Sequence, residues 1–599
     1  MSTRRLLLCI LATSAAACGG GGSDGAGTAA PSAPEAGTEE PWFVDAAAAS
    51  GLDFHHFNGG SGRFHMVEIL GAGGGLFDYD GDGDLDVYLV QGAMLDPDRT
   101  LDEAVFPLRH PAPPSDRLYR NDTEPGGALR FTDVTVESGI ARLATGYGMG
   151  VAAGDVDGDG DLDLYLSNYG PDQLLENRGD GTFADATARA GLGAGGWSVP
   201  AAFFDMDRDG DLDLFVGRYV TYDLADPPVC PDLTGAPDFC GPKSFPAESD
   251  LLYENRGDGT FEEVTRRAGL TGGFGPALGV VAADFDDDGW PDLYVANDAA
   301  PNNLWMNRGD GSFEDRALLA GAAVDERGQP QGSMGVDAGD FDGDGDLDLF
   351  MTHIVQETNT LYRNDGGGMF DDHSAETGLG APSLPYTAFG TAWADLDNDG
   401  WLDLLVANGA VTKILSLARR GDPYPLHQPN QLFRNEGGRF TDVTAEAGEA
   451  FALSEVSRGA AFGDVDDDGD VDVLLTNNAG PARLLVNRRG QDRPWLGLRL
   501  LTAGGRRDAV GARAAVLRGG GPSLWRRVRP EGSFAVTNDP RVLFGLGGGG
   551  DGGGADAPRV DGVRVVWPDG TVEDFAVTQT GHYHTLRQGT GTPAAEARR

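Results

Sequence analysis

The sequence predicts an all-β chain, a seven-bladed β-propeller followed by a small C-terminal β domain. Three observations point there. An aspartate ladder of the form D-x-D-x-D-G-x-x-D recurs seven times, each copy runs into a short alternating apolar segment, and one closing strand stands out of place near the N-terminal end. Alternation of apolar and polar residues is the pattern of half-buried strands. Self-similar units on this scale are the signature of propellers and solenoids.

The second unit shows the parts of a blade. GYGMGVAAG (Gly146 to Gly154) enters the ladder, LDLYLSN leaves it, QLLEN (Gln173 to Asn177) follows, and FADAT (Phe183 to Thr187) closes the unit. The small residues of the entering segment suit a strand crowded near a central axis. The last two parts recur as LYRN at Leu118 with FTDVT at Phe131, and as LYEN at Leu252 with FEEVT at Phe261. The seventh unit has LLVN at Leu484 and no closing strand after it, whereas FVDAA at Phe43 stands alone before the first unit. An N-terminal strand that completes the last blade shuts the ring and removes its exposed edges.

Alternate carboxylates converge on one hard cation, and oxygen-only ligands favour calcium over softer metals. The expected ligand loops are Asp78, Asp80, Asp82, Asp84 and Asp86; Asp155, Asp157, Asp159, Asp161 and Asp163; and Asp205, Asp207, Asp209, Asp211 and Asp213. They continue as Asp284, Asp286, Asp288, Trp290 and Asp292, then Asp340, Asp342, Asp344, Asp346 and Asp348. Asp395, Asp397, Asp399, Trp401 and Asp403, and finally Asp464, Asp466, Asp468, Asp470 and Asp472, complete the series. About seven calcium sites are expected. An EF-hand opens in the same way but needs a glutamate at its twelfth position. Here the twelfth residues are Leu89, Leu166, Val216, Val295, Met351, Val406 and Leu475, so these loops join strands.

The units resemble the FG-GAP/VCBS repeats of integrin-α-type propellers over about residues 42 to 490. In that family the loops bind calcium mainly to hold the blades together, and the resemblance implies the same here. Beyond Arg493 the motifs VGARAAV, LFGLG and VVWPDGT resemble the ASPIC/UnbV domain. The order propeller then ASPIC/UnbV is similar to the cartilage acidic protein family. The expected division is a signal peptide over 1–17, a flexible tether over 18–41, the propeller over 42–490, the β domain over 491–590 and a tail over 591–599.

A formal charge of −49 repels phosphates and excludes nucleic acid as a partner. Arg4 and Arg5, the apolar stretch Leu6 to Ala12 and small residues up to Cys18 have the layout of an export signal. Ala15-Ala16-Ala17-Cys18 resembles a bacterial lipobox, which implies lipidation of Cys18 and an envelope or cell-surface location, with the anchor as the sole membrane contact. Cys230 and Cys240 are expected to form a disulfide in that oxidising compartment.

Three long links between second and third strands, Gln91 to Asp116, Tyr219 to Asp250 and Gly409 to Asn430, fall on the face opposite the ladders. Long loops on a rigid scaffold are where binding resides. Arg109, His110, Tyr219, Lys243, Phe245, Arg419 and His427 lie in them, and Tyr222, Arg420 and Tyr424 are the residues expected to face a ligand. The expectation is a monomeric, exported surface binding or adhesion protein for a glycan or an extracellular protein. A calcium-dependent polysaccharide hydrolase or lyase is the alternative. No G-x-S-x-G, H-E-x-x-H or G-x-x-x-x-G-K-[ST] is present, so no catalytic residue is assigned. His55, His56, His65 and Glu68, and the pair His582 and His584, are secondary candidates for metal or acid–base chemistry.

Overall fold

A computed structural model describes residues 41–124, 126–491, 493–519, 522–547 and 559–594. The signal peptide, Cys18 and the tether up to residue 40 lie outside the described residues. Pro41–Arg599 forms one compact unit. Among the described residues, seven antiparallel blades of four strands account for the repeats, and each ladder is the turn between a first and a second strand. In the second blade these strands are Tyr147–Gly154, Asp163–Tyr169, Gln173–Asn177 and Phe183–Asp185.

Ring closure follows the expected swap. Phe43–Asp45 pairs antiparallel with Arg483–Asn487, placing Phe43 opposite Asn487 and making the N-terminal strand the outer edge of the seventh blade. The first strands pack side by side around the axis. Gly74–Phe77 of the first blade touches both Tyr147–Gly154 of the second and Ser457–Gly463 of the seventh. Apolar side chains fill the wedges between blades, as where Phe43, Leu396, Leu405, Phe462 and Leu475 meet.

A repeated hydrogen-bond hub ties strands, loops and blades together. In the second blade Asp163, the ninth ladder residue, accepts the Val156 amide at 3.1 Å and the Asn177 amide at 2.8 Å. The Asn177 side chain then donates to Leu162 O of its own ladder at 3.3 Å and to Tyr79 O of the preceding ladder at 2.7 Å. Equivalent asparagines reach back at Asn255 to Val156 O, Asn307 to Met206 O, Asn364 to Phe285 O, Asn435 to Phe341 O and Asn487 to Leu396 O. Asn121 reaches Val465 O of the seventh ladder at 3.0 Å, so the chain of bonds closes on itself.

The C-terminal domain holds a three-stranded sheet containing Trp495–Leu501 and a five-stranded sheet containing Arg513–Arg518 and Val560–Val566. Leu496, Leu498, Val516, Phe544, Val563 and Trp567 are buried in its core. From it a finger enters the propeller axis. Val536–Thr537 pairs parallel with Gly74 and Gly75, and Ser533 Oγ accepts the Thr391 amide at 3.0 Å and donates to Ala460 O at 3.1 Å. The Gly-rich first strands are required by this guest as well as by mutual crowding. A Cβ on Gly75 would stand 2.3 Å from Thr537 Cγ2, and one on Gly73 2.4 Å from Ala535 O.

Each hub asparagine is buried, and its loss strands carbonyls in two blades at roughly 1–3 kcal/mol per unsatisfied group. Asn177→Ala is therefore expected to lower the denaturant midpoint by the equivalent of about 2 kcal/mol or more. An unchanged midpoint in equilibrium unfolding would show that the hub does not hold the blades.

Candidate metal centres and the opposite face

Each ladder is folded by its own first and sixth residues. Asp155 accepts the amides of Gly158 at 2.7 Å and Gly160 at 3.0 Å, and Asp464 accepts those of Asp468 at 3.2 Å and Gly469 at 2.9 Å. The sixth position is left-handed, as at Gly160 (φ 102°) and Gly400 (φ 98°), which glycine adopts without strain. The fourth position is also left-handed, and there Gly81, Gly158 and Gly343 alternate with Arg208, Asp287, Asn398 and Asp467.

This folding gathers carboxylates. Asp78, Asp80 and Asp86 place one oxygen each within 4.8 Å of one another, as do Asp155, Asp157 and Asp163, and Asp205, Asp207 and Asp213. Asp284, Asp286 and Asp292, and Asp340, Asp342 and Asp344, form two more such groups. Without a cation the burial of these acids is costly. Burial pushes Asp86 up to about 9 and Asp163, Asp213 and Asp292 to about 8, outweighing the amides that each accepts. In the seventh ladder Asp470 has both oxygens buried without a hydrogen-bond partner and is raised to about 9, first by burial and then by Asp468 and Asp464. Orphaned, mutually repelling oxygens aimed at one point fit a divalent ion.

Arginines of the C-terminal domain rest on the same face. Arg499 stands 3.7 Å from Asp78, Arg507 3.5 Å from Asp155 and 3.2 Å from Asp211, and Arg541 2.6 Å from Asp467. The Tyr583 hydroxyl donates to Asp464 Oδ2 at 3.0 Å. Sequence reading left this domain without a task. Its arginine spacing carries no signal until the fold sets it against the ladders.

On the opposite face the three long links and the segment 55–72 close over the channel mouth. Tyr222 and Tyr424 are 9% and 8% exposed, which corrects the expectation that they face a ligand. Tyr222 OH lies 3.0 Å from His65 Nδ1, and Tyr424 OH donates to Asn478 Oδ1 at 2.5 Å. Both belong to the apolar plug formed with Met66, Trp197, Tyr219 and Phe534, because aromatic rings brought over a channel gain more from filling it than from water. Arg420, Arg419 and Lys243 remain exposed. Cys230 and Cys240 are bonded, with sulfurs 2.06 Å apart.

Histidine candidates divide by burial. Burial lowers His56 to about 3, and Glu68 is raised to about 7 by burial against the hydrogen bonds from Ser61. The rings of His582 and His584 lie 4.3 Å apart at a tilt of 45°, at the start of the edge strand Tyr583–Arg587 of the C-terminal domain. Arg458, which sequence reading passed over, is fully buried and donates to Ile69 O at 2.7 Å, Gly409 O at 2.9 Å and Ala410 O at 3.2 Å, fastening the plug to the seventh blade.

The FG-GAP-like repeat model matches residues 78–166, 155–216, 232–295, 284–351 and 353–406, and the ASPIC and UnbV model matches 502–593. Cartilage acidic protein 1 of Homo sapiens is 27% identical over 342 residues, covering 54% of this chain and 45% of that protein. The Mus musculus protein of the same name is 26% identical over 340 residues, covering 54% and 46%. The match thus spans about half the length of these curated relatives. A structure of an Agrocybe aegerita lectin that recognises non-reducing terminal N-acetylglucosamine aligns with a TM-score of 0.36 at 18% identity, over 63% of this chain and 90% of that one. The chain belongs to the FG-GAP-like repeat family and carries an ASPIC/UnbV domain.

Two outcomes follow from this geometry. Aspartates raised in the folded state stabilise the apo protein below their unfolded value near 3.8 and lose that contribution as pH rises through about 6 to 9. In chelator the melting temperature is therefore expected to fall between pH 5 and pH 8, whereas added calcium, which binds deprotonated ligands, should flatten or invert the slope. A chelated sample that melts higher at pH 8 would contradict the buried, unneutralised state of the ladders. Tyr222→Ala should cost roughly 3–5 kcal/mol in equilibrium unfolding, as large buried aromatics do, and Arg420→Ala less than about 0.5 kcal/mol.

Proposed function

We propose that this member of the FG-GAP-like repeat family is an exported, calcium-bound propeller that acts as a surface binding or adhesion protein for a glycan or an extracellular protein. The observation that carries the reading is the convergence of the first and third ladder carboxylates with the ninth in the first four ladders and with the fifth in the fifth ladder. Calcium bound there neutralises buried charge at the turn whose ninth aspartate accepts the hub asparagine of the third strand, so its role is to stiffen the ring. Bound Asp78, Asp80 and Asp86, and their counterparts, supply carboxylate oxygens, and the sixth-position glycines allow the loop to wrap. At millimolar calcium and the affinity typical of extracellular modules, each site adds roughly 1 kcal/mol.

Export is supported by the signal-like N-terminal segment and by the bonded Cys230 and Cys240, a pairing that persists in oxidising compartments. A lipid anchor at Cys18 would hold the propeller at the envelope. The ligand-facing surface is assigned to the exposed basic residues around the plug, Arg419, Arg420 and Lys243, in place of the buried tyrosines. Cations beside partly buried aromatics suit an acidic glycan or a protein edge.

Screening the full mature chain against a glycan array and an immobilised secretome, with and without EDTA, tests the reading. Calcium-dependent capture that Arg420→Ala weakens at unchanged melting temperature is expected. A melting temperature indifferent to EDTA would remove the calcium role, and turnover of a polysaccharide in the same samples would move the protein to the enzymatic alternative.

A further inference from the structure

The sixth ladder differs from the other ladders in what faces its third carboxylate. The five carboxylate groups named above share the first and third ladder residues. In the sixth ladder the third residue is Asp397, which is fully buried. Its Oδ2 lies 2.9 Å from Arg434 Nε and its Oδ1 2.8 Å from Arg493 Nη1, while Arg434 Nη2 lies 3.2 Å from Asp399 Oδ2 at the fifth position. We propose that the Asp395–Asp403 ladder is held by these two guanidinium groups instead of a calcium ion, so that the chain binds one ion fewer than it has ladders. This rests on reading the other ladders as calcium sites.

Two fixed positive charges on Asp397 equal the charge a divalent ion would bring, and they cost no binding equilibrium. Neither oxygen of Asp397 receives an aligned hydrogen bond, so the contacts act through charge. The reason that Arg434 turns inward lies two residues on. The corresponding Arg120 and Arg363 pair outward with Asp122 at 2.8 Å and Asp365 at 2.9 Å, whereas Arg434 meets Glu436 only at 3.5 Å. Arg493 arrives on the link that leaves the seventh blade, and it also donates to Asp397 O at 2.7 Å.

The loop is further locked from its fourth position. Asn398, left-handed at φ 55°, donates to Gly469 O of the seventh ladder at 2.9 Å and to Gly490 O of the link at 3.2 Å. An entering ion would have to expel a guanidinium that anchors the link to the C-terminal domain. The seventh ladder is the counter-case: Asp470, like Asp397, has both oxygens buried without a hydrogen-bond partner, but the charges that face it are the carboxylates of its own ladder and not guanidinium groups. Composition agrees: the sixth ladder has the fewest acids, with Trp401 at its seventh position.

Native mass spectrometry of the full mature chain after equilibration with calcium chloride counts the ions. Six per chain are expected in the unaltered protein, six again in Asp397→Asn, five in Asp466→Asn, and seven in the Arg434→Gln, Arg493→Gln double variant. Seven in the unaltered protein, or the loss of an ion from Asp397→Asn, would overturn the assignment. So would a folded double variant that stays at six. Should the variants fail to fold by circular dichroism, the count for the unaltered chain decides alone. A chain that binds no calcium would instead remove the reading of the ladders on which the proposal stands.

Discussion

The structure depends on one recurrent contact, the ninth ladder aspartate bonded to the amide of the third-strand asparagine whose side chain reaches the preceding blade. It joins three levels at once. The aspartate fixes the second turn residue, the asparagine amide sets third strand against second, and the side chain crosses to a neighbour. A propeller blade by itself has two open edges and no closed core, so blade-to-blade bonds of this kind decide whether the ring is one cooperative body. Because Asn121 returns to Val465, no blade is terminal in this network.

Charge acts on the same loops. Ladder acids sit where burial is costly, and the structure relieves that cost in two ways. Most ladders gather oxygens suited to an external cation, while arginines from the C-terminal domain approach from outside, at first-position acids such as Asp78 and Asp155 and at acids outside the gathered groups such as Asp467. The two halves of the chain are thus electrostatically dependent, and the domain that looks appended is seated on the ladder face of the propeller. Its finger, ending at Val536–Thr537, gives that seat an axis.

Much of this was legible in the sequence where the signal is local and repeated. The ladders, the strand runs and the stray FVDAA could be read because each lies within a dozen residues and recurs. The hub asparagines stood in plain view at the end of every LYRN-like segment, yet their task was not readable, since the partner of Asn177 is Tyr79 in another blade. Tyr222 and Tyr424 misled for a related reason: an aromatic in a long polar loop gives no local sign of whether it meets solvent or a channel. The finger was hidden because Ser533 and Ala535 adopt left-handed conformations that neither residue type announces.

The strand swap at Phe43 sets a condition on biogenesis. Phe43 cannot find Asn487 until more than four hundred further residues have been made, which at ribosomal speeds of about 5–20 residues per second is on the order of half a minute or longer. Throughout that wait the nascent ring lacks its clasp, with a hydrophobic strand loose at one end and an unpaired border at the other. Selection therefore falls on keeping those two edges apart from other chains until they meet, a demand on chaperoning that no single blade would impose.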